Sequence, residues 1–143
     1  MDPITSFQEL IRARVASDTF ITGVTVISET TGDVESTIDS KLKDDGLVCV
    51  VLAPELTKGS LPRSYRVDIE ITFLELVEKN QDDGTGIACL GAAVSAFDRL
   101  SNWQSTDETA VRVEMESIEL LSIAPLLIYQ CKGFTEFLTQ PTN

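Results

Sequence analysis

The chain has 143 residues, with 23 Asp and Glu against 11 Lys and Arg for a formal net charge of −12; 43% of residues are hydrophobic and 24% charged. That length accommodates one domain with one core, and the balance of apolar and charged residues excludes a disordered chain or a fibrous repeat. The acidity argues against partners held through phosphates, whether nucleic acid or anionic lipid, and the absence of His removes Ser-His and Cys-His nucleophile systems along with the commonest transition-metal ligand.

Ile4, Phe7, Leu10, Ile11 and Val15 fall at helical spacing behind Asp2-Pro3 and Ser6-x-x-Glu9, which predicts an amphipathic helix over residues 3–16. The β-branched run from Thr19 to Ser28 predicts a strand near Val24 to Ser28, broken by Gly32-Asp33. Val34, Ile38 and Leu42 recur every fourth residue up to Asp44-Asp45-Gly46, a helix with a glycine stop. Leu47 to Ala53 is continuously apolar and suits a strand covered on both faces.

Between Ser64 and Val77, Tyr65, Val67, Ile69, Ile71 and Phe73 alternate with Arg66, Asp68, Glu70 and Thr72, the pattern of a strand with one wet face. At ~3.3 Å per residue such a strand reaches about 45 Å, so part of it is expected to project. Pro54 to Pro62 carries turn residues at both ends and reads as the tip of a long hairpin joining strands 47–53 and 64–77. Residues 78–86 read as a polar loop. Ile87, Leu90, Val94, Phe97 and Leu100 then share a helical face, with small residues between them that let the helix lie close to a sheet. After a loop at 101–109, Val111, Val113 and Met115 alternate with charged residues, and Leu126 to Phe137 forms a last strand with a bulge expected at Gly133. The order predicts an α+β domain, a mostly antiparallel (mixed) β-sheet with helices packed on one face and a long projecting β-hairpin, over residues 1–143 with a flexible tail.

Cys49, Cys89 and Cys131 are odd in number and lack CxxC spacing, as expected of buried, reduced thiols in a cytoplasmic protein. The N-terminus lacks the basic and apolar regions of an export signal, and no apolar run approaches the ~18 residues of a membrane span, so a soluble protein with no membrane association is expected.

Asp82-Asp83-Gly84-Thr85-Gly86 stands where glycine loops cradle phosphate, but it is not GxGxxG, no Gly-Lys-Ser/Thr follows, and its aspartates repel an anion. It reads as a turn and helix cap. Asp44-Asp45 and Asp82-Asp83 lack the spacing of a calcium loop and read as solvated turns. Glu114, Glu116 and Glu119, with Asp68 and Glu70, read as the solvent face of amphipathic strands, with a carboxylate pair for acid or base work as the alternative. No catalytic, cofactor or metal site is predicted, and the chain is not expected to be an enzyme. For subunit interfaces the candidates are Leu56, Lys58, Leu61, Arg63 and Arg66 around the hairpin tip, Arg12 and Arg14 on the first helix, and Trp103, an aromatic in a polar loop that either anchors a neighbour or folds back over the core.

The element order, with the Gly32-Asp33-Val34 helix start, Gly46-Leu47-Val48-Cys49-Val50-Val51, the strand from Tyr65 to Glu75 and a helix after an Asp-rich loop, resembles the small tail-terminator and tail-completion proteins of tailed bacteriophages over residues 1–135. The resemblance is one of pattern, with no diagnostic motif. It implies a virion structural protein, assembled in the host cytoplasm, that forms a six-fold ring, caps the head-proximal end of the tail tube, ends tube polymerisation and offers the head-tail joining surface. The implied partners are copies of itself, the tail tube protein and a head-completion or connector protein, with DNA passing unbound. Six copies at −12 each sum to −72, which assigns cations such as Mg²⁺ the part of assembly aid and not of cofactor. The alternatives are another head-tail connector or tail-tube protein of the same virion, and a small cytoplasmic α+β ligand-binding domain or enzyme using a carboxylate pair.

Overall fold

The computed structural model describes residues 3–30, 33–104 and 112–138. Helix α1 (Pro3–Ala16) leads through a 3-10 turn at Thr19–Ile21 into β1 (Thr25–Ser28), α2 (Val34–Asp44), β2 (Leu47–Val51), β3 (Glu55–Lys58) and β4 (Ser64–Leu76). Helices α3 (Val77–Asp83) and α4 (Cys89–Leu100) and strands β5 (Glu114–Ser122) and β6 (Leu126–Leu138) complete the chain. The strands form one mixed sheet in the order β1-β2-β4-β6-β5, with β3 pairing β4 beyond the end of β2. Among the described residues only β1 and β2 run parallel, and α2 is the crossover that parallel neighbours require. The fold is α+β.

The main core lies between the sheet and the layer of α1 and α4. Phe7, Ile11 and Val15 bury one stripe of α1, while Cys89, Ala92, Ala93, Ala96 and Leu100 bury one face of α4 against Val67, Ile69, Ile71 and Phe73. The alanines let α4 approach until the Cys131 thiol donates to the Ala93 carbonyl at 3.4 Å. The two helices are clasped at their C-terminal ends: the Arg14 guanidinium donates to the Arg99 carbonyl, and Arg99 donates to the Arg14 carbonyl at 2.8 Å. Each cation thereby donates to a carbonyl in the last turn of its partner helix, and the Arg14 carbonyl also accepts from the Ser17 hydroxyl at 2.8 Å.

The expectation of helices on one face holds for α1 and α4, and α2 departs from it. Leu47, Cys49 and Val51 point into the main core, so Val48 and Val50, also buried, point the other way, to the face where α2 contacts β1, β2 and β4. That is why the sequence of β2 is apolar throughout. Gly46, at φ 81°, makes the turn between α2 and β2, and a Cβ there would lie 2.6 Å from the Asn80 backbone, so this glycine also permits the docking of α3.

Four local expectations are corrected. Residues 77–83, which take in the last residue of the expected strand and most of the expected polar loop, form α3; its few apolar residues hide its period, and it is fixed by the buried Asn80 and a Lys79–Asp83 ion pair one turn apart. Residues 55–58, placed in the hairpin tip, form β3, which shortens the tip to residues 59–63. The strand read around Val111 to Glu116 runs instead from Glu114 to Ser122, with Val111 outside the described residues; register shifts at Met115/Ser117 and Leu120/Ser122 break the alternation that would have marked it. The irregularity expected at Gly133 lies across from it on β5, and Gly133 makes room for it, because a Cβ there would come 2.6 Å from the Glu114 carbonyl oxygen.

The three cysteines are free and buried. Burial pushes the thiols of Cys89 and Cys131 up to about 12 and raises that of Cys49 well above its ordinary value, which leaves no thiolate to react near neutrality. A thiol-reactive dye at pH 8 is expected to label none of the three in the native protein and all three in denaturant; fast native labelling would show that α4 lifts from the sheet.

Candidate interaction surfaces

Strand β4 pairs β6 through thirteen consecutive positions, Ser64↔Leu138 to Leu76↔Leu126, and this ladder organises the outer surfaces. The long strand therefore does not stand free, as a projecting hairpin would: β6 flanks it throughout, and β3 forms the exposed edge at one end, with all four of its residues solvent-exposed.

The hairpin tip is tightly tied. The Gly59 amide donates to the Ser64 carbonyl, the Ser64 hydroxyl donates to the Leu61 carbonyl at 2.6 Å, and both the amide and the hydroxyl of Ser60 donate to the Glu136 carboxylate. The hydroxyl donation is the main cause that holds Glu136 below the ordinary carboxylate range. Leu56, Leu61 and Tyr65 are exposed there alongside Lys58 and Arg63. Register puts Leu56 on the same sheet face as Val67, and Lys58 on that of Tyr65.

At the other end of the ladder, the β5–β6 turn exposes Leu120, Leu121 and Ile123, the last 71% accessible. The Val77 amide donates to the Pro125 carbonyl, so the start of α3 braces this turn. A third apolar patch, Leu90 and Val94, lies one turn apart on the outer side of α4, and Phe20 is exposed beside Gly91 of the same helix.

The open sheet face carries the acidic residues in the solvated arrangement expected of amphipathic strands. Arg66 donates to Asp68 at 2.9 Å and to Glu116 at 3.2 Å and lies 4.0 Å over the Phe134 ring, while Lys132 pairs with Glu119 at 3.0 Å. These pairs are exposed and contribute little to stability. Arg66 and Lys132 stand among these carboxylates, and Glu55 of β3 lies directly across from Asp68, which Arg66 holds. Among the described residues, no group of three or more Cys, Asp or Glu side chains is placed to hold a metal ion. No helix among them is long and apolar enough to cross a membrane.

The interface candidates separate into two sets. Leu56, Lys58, Leu61 and Arg63 gather at the tip, with Arg66 just below them and engaged within the chain. Arg12 pairs with Glu9 on its own helix. Arg14 lies 5.5 Å over Trp103, which stacks on Phe7 with ring centroids 6.3 Å apart. Of the two readings of Trp103, this favours the ring folded over the core.

Glu75 gave no signal as a special position. It is 3% exposed, and its carboxylate accepts from the Asn80 side-chain amide at 2.8 Å and from the Cys89 amide at 2.9 Å. Helix α4 has no cap from its own N-terminal residues, and Glu75 caps it from the sheet. Thr85, read as the helix cap, instead donates its hydroxyl to Asn80 Oδ1 and accepts from the Ile87 amide. Every partner of Glu75 is structural, which makes the group a strut.

No described protein family and no curated protein matches this sequence. Among solved structures, a crystal structure from Akkermansia muciniphila is similar over 98% of this chain and 77% of its own, with 11% identity and a TM-score of 0.39. At that level the likeness carries no inference.

Proposed function

We propose that the chain is a virion structural protein of the tail-terminator kind, assembling into a six-fold ring that caps the head-proximal end of a tail tube, stops its growth and offers the surface to which the head joins. The observation that carries this reading is the tied hairpin tip with its exposed edge strand β3. Strand β3 is short and carries Glu55 and Lys58, as protected edges do, and the exposed apolar side chains Leu56 and Leu61 beside an ordered tip are what suits contact with another chain. Copies of the same chain, the tail tube protein and a head-completion protein are the partners in this reading.

The net charge of −12 supports it in a second way, because a channel through which DNA passes works best when its wall does not bind phosphate. The same charge makes closure of a ring dependent on cations. Light scattering after size exclusion, across a concentration series with and without millimolar Mg²⁺, is expected to show a species of six copies favoured by Mg²⁺, with a central hole in negative stain. A monomer at all concentrations in both buffers would count against the reading.

A further inference from the structure

We draw no further inference here: the strongest candidate, the surface patch of Leu120, Leu121 and Ile123 exposed at the β5–β6 turn, is an apolar face with nothing in the structure to show what covers it.

Discussion

Replacing Glu75 by Ala is expected to lower stability by about 3 kcal/mol, a fall of roughly 10 °C in Tm for a domain of this size. The carboxylate is buried and accepts from Asn80 Nδ2 and the Cys89 amide, so its removal strands one N–H of each in a site closed to water. The second N–H of Asn80 still reaches the Ile87 carbonyl at 2.8 Å, so the loss is centred on the start of α4. Glu75→Gln keeps one acceptor oxygen but turns an NH₂ toward one of the two donors, and about half the loss is expected. Urea titrations of both variants measure this. A loss under about 1 kcal/mol in Glu75→Ala would mean that water enters and takes the place of the carboxylate.

The second large effect is expected at Phe7. Its ring is fully buried, stacks on Trp103 and meets Phe137 edge to face with centroids 5.0 Å apart, and so joins α1, the loop after α4 and the end of β6. Phe7→Ala is expected to cost about 4 kcal/mol, from lost burial and from the cavity that remains. Trp103 is the only Trp, and its emission is expected to shift to the red as it loses its stacking partner. Phe7→Leu keeps most of the volume and is expected to cost under about 1.5 kcal/mol. Equal losses in the two variants would mean that the stacking geometry, and not the filled volume, holds this corner.

The elements that were legible in the sequence are those whose burial follows a single period. Helix α1 runs over the residues that Phe7, Ile11 and Val15 predicted, and β4 ends one residue before the predicted limit, because one face of each meets a continuous core. Strand β5 was misplaced because its two register shifts turn Glu116 and Leu121 out of the alternating pattern, which only its pairing with β6 reveals. Helix α3 was missed because its one buried side chain is Asn80, whose reason for burial is Glu75, and β3 because an exposed edge strand has no apolar period to read. At the candidate surfaces, the cations and apolar residues around the tip were visible as a cluster, since they are neighbours in sequence. Trp103 and Arg14 were not separable from them, because stacking of residues so far apart in the chain leaves no local trace.

The unbroken ladder between β4 and β6 also has a mechanical meaning. A load applied between the hairpin tip and the β5–β6 turn runs along the strands, so the hydrogen bonds of the thirteen paired positions bear it together, in shear. Peeling would break the same bonds one at a time and needs far less force. An assembly that pulled on those two ends would therefore load the subunit along its stiffest direction.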